Sequence, residues 1–233
     1  MQRRVKSKQR VADHGEVLTG EREVNAMLDL VKAETERIDS RFLEPACGTG
    51  NFLAEILQRK LRVVAARYAK SQIEYERYAV LAVSSIYGID ILEDNVQECR
   101  QRLFDIFDVE YSRLFRKSAR DACRAAVRYI LSCNIVHGDA LTLKTVGATP
   151  QPITFAEWSL VNGSMLKRRD FTFHELLNHG AMRELPLFSD LGEQVFIPRP
   201  ERDYPPVHFL EVPHAYHDEL QPGHPHLPGQ PQQ

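Results

Sequence analysis

The chain has 233 residues, 43% of them hydrophobic and 27% charged, with a formal net charge of −2. That length suits one sizeable domain with an appendage, and the near-neutral balance restricts any nucleic-acid surface to a local patch. No apolar run approaches the roughly 18 residues of a membrane span; the start, MQRRVKSKQRVADHGE, lacks the apolar core of a signal peptide; and four cysteines without CxxC spacing fit reduced thiols in the cytoplasm better than a disulfide scaffold.

Residues 1 to 14 are polar and basic and read as a flexible arm. Over 19 to 38, Val24, Met27, Leu28 and Val31 fall at helical spacing, with Thr19 as N-cap and acids in the first turn. RFLEPA is a short strand closed by Pro45. Residues 51 to 84 contain no helix breaker and predict two helices. SIYGID (85 to 90) is β-rich, and LEDNVQECRQRLFDIF is an amphipathic helix with Val96, Cys99, Leu103 and Phe107 inward. A further helix, about 109 to 131, leads into the strand NIVHGDAL (134 to 141). Beyond residue 150 the pattern changes. β-prone runs flank Asn162-Gly163, a strong hairpin signal, and Trp158 is placed to pack that hairpin on the body. HELLNHGAMRELPLF has room for a short helix, and from about 198 the prolines and histidines read as a largely disordered tail. The expected organisation is therefore an arm (1–14), a main domain (15–150), a hairpin extension projecting from it (151–197) and a tail (198–233).

The alternation of strand, glycine turn, helix, strand and acid is the rhythm of a doubly wound, Rossmann-like α/β sheet. Such sheets bind ligands at the carboxyl ends of their strands, and Glu44, Asp90 and Asp139 stand at three of them. In FLEPACGTGNFL a bare backbone at Gly48 and Gly50 opens a helix. Dinucleotide enzymes use G-x-G-x-x-G for a pyrophosphate, but here the third glycine is missing and an acid precedes the turn. A carboxylate repels pyrophosphate and suits an ammonium. S-adenosyl-L-methionine carries an ammonium, a sulfonium, a ribose diol and an adenine amine. Glu44 is assigned to its amino-acid end, Asp90 to the ribose hydroxyls and Asp139 to the adenine amine.

EPACGTGNFL closely resembles the cofactor motif of amino-methylating DNA methyltransferases, the adenine-N6 type found in modification subunits of restriction systems. HGEVLTGEREVNAMLDLV is similar to the segment preceding it there, with Gly20 where proline is usual, and YGIDILEDNVQECRQRL and VHGDAL resemble the second and third cofactor motifs. The likeness covers about residues 11 to 142. It implies a methyltransferase sheet and cofactor contacts from Thr19, Glu44, Pro45, Ala46, Cys47, Gly48, Gly50, Asn51, Phe52, Asp90, Ile91, Asp139 and Ala140. Family members catalyse with Asn/Asp/Ser-Pro-Pro-aromatic on the next strand, stacking the aromatic on a flipped base. The single Pro-Pro pair here, in RDYPPVHF, has Tyr204 before it and Val207 after it, so no residue is assigned as catalytic. The implied function is the cofactor-binding part of a DNA methyltransferase in a restriction-modification or phage-defence system. DNA and a partner polypeptide bearing the catalytic and target-recognition parts are the expected partners, the polypeptide docking beside the strand that ends at Asp139. The alternative is an inactive structural or regulatory subunit; a dehydrogenase is disfavoured by the glycine pattern.

Among other candidates, Lys167, Arg168 and Arg169 in LKRRD are assigned to DNA phosphates, against the simpler reading of a solvated hairpin edge. Cys47 is expected to be a packing residue, since no histidine stands near it to activate it. His214 and His217 have metal-ligand chemistry, but no metal is expected.

Overall fold

The computed structural model of the chain describes residues 10, 19–177 and 199–216. Its architecture is α/β with a mixed sheet, compatible with a Rossmann-like fold. Strands β1 (Phe42–Glu44), β2 (Ile86–Asp90) and β3 (Ile135–Asp139) pair in parallel in that order, and β4 (Lys144–Thr145) adds antiparallel beyond β3. Strand order follows chain order. The reversal that would make the sheet doubly wound is not found among the described residues. β2 is buried at every position, as expected for a strand flanked on both sides in a parallel sheet.

Helices α1 (Glu21–Asp29) and α2 (Lys32–Thr35) precede β1; α3 (Asn51–Tyr68) and α4 (Gln72–Ser84) join β1 to β2; α5 (Glu93–Phe115) and α6 (Asp121–Asn134) join β2 to β3. Both crossovers advance the same way, so right-handed connections put these helices on one face of the sheet. Val96, Cys99, Leu103 and Phe107 are each at most 1% exposed, as their spacing predicts. The expected break near residue 108 is absent. With neither glycine nor proline inside it, α5 runs 23 residues, about 35 Å, and stops only where Arg116 turns to φ 47°. In α1, Val24 and Leu28 are buried while Met27 and Val31 are exposed. The helix ends at Asp29, before Val31 could complete the stripe, and its N-cap is Gly20 rather than Thr19.

Lys60, in the middle of α3, is fully buried. Its ammonium donates to the Ile38 and Ser40 carbonyls and to Ser85 Oγ, and lies 5.2 Å from the centre of the Phe42 ring. It ties α3 to the amino-terminal ends of β1 and β2. Burial pulls its pKa down to about 7, against the opposing pull of Asp39.

Residues β5 (Thr154–Val161) and β6 (Met165–Thr172) form the expected hairpin. Asn162 at φ 45° and Gly163 at φ 77° supply the left-handed pair that a two-residue turn needs. The hairpin does not project. Ala156, Trp158 and Leu166 enter the main core on one face of the hairpin, and Trp158 Nε1 donates to Asn134 Oδ1 at 3.1 Å. On the other side Phe155, with Ile153 and Phe173, packs on Tyr87 and Ile89. The hairpin thus covers the sheet face that the helices leave open.

Residues 173 to 177 are helical. The segment 199–216, expected as disordered tail, is ordered: β7 (Arg202–Asp203) and β8 (Val207–His208) pair with β6, and α7 (Val212–Ala215) follows. Phe209, Val212 and Tyr216 anchor it in the main core, apolar side chains that the surrounding prolines and histidines obscured. Residues 217 to 233, with His217, and most of the arm lie outside the described residues. Arg10 within the arm is fixed, bonding Asp94 and Asn95 at 2.6 and 3.1 Å.

Candidate functional site

Three successive strands end in an acid, and parallel pairing brings those ends side by side. The result is a cavity of about 550 Å³ at the carboxyl edge of β1, β2 and β3. It is lined by Thr19, Glu44, Pro45, Ala46, Cys47, Gly48, Asn51, Phe52, Asp90, Ile91, Asp139 and Ala140, together with Leu92, Asn95, Gly138 and Leu141. Of the residues expected from sequence, only Gly50 is not in the lining. It lies one layer beneath, at φ 82°, where an added Cβ would stand 2.6 Å from Cys99 Sγ. That turn must be glycine for two independent reasons, its handedness and its contact.

Asp90 is 8% exposed and makes bonds within the chain besides any it offers a ligand. Its Oδ2 accepts from the Gly48 amide at 2.8 Å, and its Oδ1 accepts from the Leu92 amide at 2.9 Å and from Asn95 Nδ2 at 3.2 Å. The carboxylate therefore fastens the glycine turn of β1 to the end of β2. With three bonds made, about one acceptor site of its four remains for a ligand.

Glu44 and Asp139 are less committed. Desolvation raises the Glu44 pKa, with the Ala46 amide pulling the other way. Asp139 accepts from the Leu141 amide at 2.9 Å and Thr142 Oγ1 at 3.0 Å, and these bonds lower its pKa. The rim carries exposed apolar groups, Ile91 at 45% and Leu141 at 94%. Cys47 is buried, and the bond to Cys99, with burial behind it, raises its pKa, so its thiol is held protonated and serves as packing.

No lysine, arginine or histidine is among the described residues of the lining. A described lining with three carboxylates and no cation disfavours a phosphate-bearing ligand and favours one with positive charge. Asn95 and Leu92 were missed in sequence, yet the signal was present: both follow Asp90 into the first turn of a helix that starts at the same strand end.

The basic trio forms no patch. Successive strand residues point to opposite faces, so Arg168 turns into the core while Lys167 and Arg169 turn away from it. Arg168 bonds Asp170 through two nitrogens, each at 2.8 Å, donates to Tyr129 Oη at 2.9 Å, and lies under the Tyr204 and Tyr216 rings. Lys167 pairs with Asp203 at 2.9 Å and Arg169 with Glu157 at 2.7 Å. The Pro205-Pro206 pair sits between β7 and β8, outside the cavity lining.

The outer edge of β3, expected to be open, carries β4 at its carboxyl end, opposite Gly138 and Asp139. At the opposite side of the sheet, β1 has no strand beyond it among the described residues. There Phe42, Leu43, Tyr87, Phe155, Phe171 and Leu176 surround a second, apolar cavity of about 230 Å³. No group of His, Cys, Asp and Glu suited to a metal occurs among the described residues, and none of their helices is long and apolar enough to cross a membrane.

Comparison of the chain with protein-family models, with curated proteins and with solved structures yields no match.

Proposed function

We propose that this cavity binds S-adenosyl-L-methionine and that the chain is the donor-binding part of a DNA adenine-N6 methyltransferase of a restriction-modification or phage-defence system. The observation that carries the reading is the lining: three carboxylates on adjacent strand ends, a glycine turn and, among the described lining residues, no cation. The volume lies within the roughly 300–1,000 Å³ of small-molecule sites. When bound, the ligand supplies an electrophilic methyl on a sulfonium. The chain's own part is to bind and orient. Glu44, a half-buried carboxylate with few bonds of its own, is the acceptor for an ammonium. Asp90 holds the turn and keeps one lone pair for a hydroxyl, and the Ile91 and Leu141 side chains offer apolar surface to a flat ring.

Methyl transfer to an exocyclic amine needs more than a held donor. The amine lone pair is delocalised into the ring, and acceptors must take its hydrogens as the nitrogen rehybridises. No described residue near the cavity supplies an aromatic platform with such acceptors, because Pro205-Pro206 is built into the hairpin sheet. A partner chain would bring them, and the open β1 edge, with Leu43 exposed beside the apolar cavity, is the place for it. The same position of Pro205-Pro206 favours a second reading, an inactive subunit that retains the binding site.

Calorimetry of the full chain against S-adenosylhomocysteine and against NAD tests the donor reading. Binding of the first, weaker than in a complete enzyme, and none of the second is expected; no heat at about millimolar ligand, with the fold intact, rejects it. A tritiated-methyl assay on mixed-sequence DNA separates the two readings. Labelling only with a co-encoded Asn-Pro-Pro-Tyr-bearing chain supports the split enzyme, none under either condition supports the inactive subunit, and labelling by the chain alone overturns both.

A further inference from the structure

We infer that Arg102, outside the cavity, is a positioning residue that holds the cavity's Thr19 wall in place through Asn51. The inference deepens the proposed donor site and rests on it for its ligand. Asn51 opens α3, and its side-chain amide is engaged at both ends. Nδ2 donates to the Thr19 carbonyl at 2.7 Å, and Oδ1 accepts from an Arg102 guanidinium nitrogen at 2.6 Å. The same nitrogen reaches the Thr49 carbonyl in the glycine turn at 3.4 Å. One guanidinium on α5 therefore braces the turn and, through the amide, the segment that leads into α1.

Among the described residues, the Asn51 amide is the hydrogen-bond partner that holds Thr19. Its neighbour Gly20 caps α1 with no side-chain bond, so the Asn51 amide is the tether in view. An asparagine amide by itself can present either its oxygen or its nitrogen to a neighbour. A guanidinium has only donors, so Arg102 can meet only the oxygen and thereby points the NH₂ group at Thr19. It also polarises the amide and strengthens that donation. Arg102 does not line the cavity; its other surroundings are the groove between α3 and α5, beside Leu61, Arg62 and Ile106.

Two readouts on the full chain test this. The first needs no ligand: hydrogen exchange at the Val24 amide, which donates to the Gly20 carbonyl at 2.9 Å in the first turn of α1. Arg102→Ala should speed that exchange about tenfold or more by loosening the segment, and Asn51→Leu should do the same. The second is affinity for S-adenosylhomocysteine, expected to fall about five- to twentyfold in either variant, less than a lost charged hydrogen bond would cost outright because the effect reaches the ligand only through the wall. The double variant should be little worse than Asn51→Leu alone, because the remaining Arg102 contact, to the Thr49 carbonyl, is long at 3.4 Å and the two residues act chiefly as one unit. Arg102→Lys, which keeps a cation able to meet one acceptor, should recover part of both losses and serves if Arg102→Ala does not fold. Arg62→Ala, in the same groove but bonded to Glu55, should leave both unchanged. Unchanged Val24 exchange in Arg102→Ala, or additive losses in the double variant, would overturn the inference. A wild-type chain that binds no S-adenosylhomocysteine would remove the donor reading, while the exchange measurement still decides the relay.

Discussion

The acids at the ends of β1, β2 and β3 converge on one cavity, whereas the bases in the middle of β6 separate to three different partners. Both are sets of like charge, but the bases are consecutive in the chain and the acids are spread along it. Adjacent parallel strands place equivalent ends together, so residues far apart in the chain meet at one edge. Within a single strand, neighbours alternate faces, so consecutive charges cannot share one. The first arrangement leaves carboxylates facing open space. The second uses every cation internally, Arg168 with Asp170, Lys167 with Asp203 and Arg169 with Glu157.

The largest expected effect lies in the second region. Arg168→Ala leaves Asp170 as a buried carboxylate without its bidentate partner and should cost about 3–5 kcal/mol of stability in urea denaturation. Replacing both with well-packed apolar residues should recover most of that. A small loss in Arg168→Ala would mean that the pair is as solvated as a surface bridge, and the contrast between the regions would weaken.

Gly50 and Gly163 sharpen the comparison further, since both have φ near 80° but only Gly50 has a neighbour in the way. Gly50→Ala should cost about 2–4 kcal/mol, backbone strain plus overpacking against Cys99. Gly163→Ala, with open space around it, should cost about 1 kcal/mol from strain alone. Thermal denaturation of the two variants measures the difference. Equal losses would show that Cys99 gives way.

Asp90→Ala removes the acceptor that fastens the glycine turn, leaving the Gly48 amide without it, and should lower stability by about 1–3 kcal/mol even without ligand. Loss of ligand affinity with stability unchanged would return Asp90 to a purely ligand-facing role.

Acidity gives a smaller effect. The Glu44 pKa is raised by desolvation, so its carboxylate protonates early as pH falls, and a cationic ligand then loses its acceptor. Affinity for S-adenosylmethionine should therefore begin to fall, as pH is lowered from neutrality, at a higher pH than an ordinary glutamate would give, and stay flatter in Glu44→Gln, read by calorimetry across that range. The smallest effects belong to Lys167→Ala and Arg169→Ala. They break pairs at or near the surface and should each cost about 0.2–1 kcal/mol, with no measurable change in binding of the full chain to a DNA duplex. A clear loss of DNA binding in either would restore the strand as a phosphate contact.

By itself, the sequence determined the elements whose cause is local. The glycine turn, the hairpin at Asn162-Gly163, the apolar stripe of α5 and the acids closing three strands all follow from residue type and short spacing. So does the set of side chains that meets at the cavity, because a parallel α/β rhythm carries strand ends to one edge whatever the details. Tertiary structure decided what each group has left to offer. It bound Asp90 to Gly48 and turned Arg168 inward. It packed the hairpin on the open sheet face, ordered the residues around Phe209 and Tyr216, and laid β4 against the end of β3. It also buried Lys60 among carbonyls, and linked Arg102 to Thr19 across more than eighty residues of chain through one asparagine. Each of these depends on a partner distant in sequence, and no local pattern specifies which buried donor will find which acceptor.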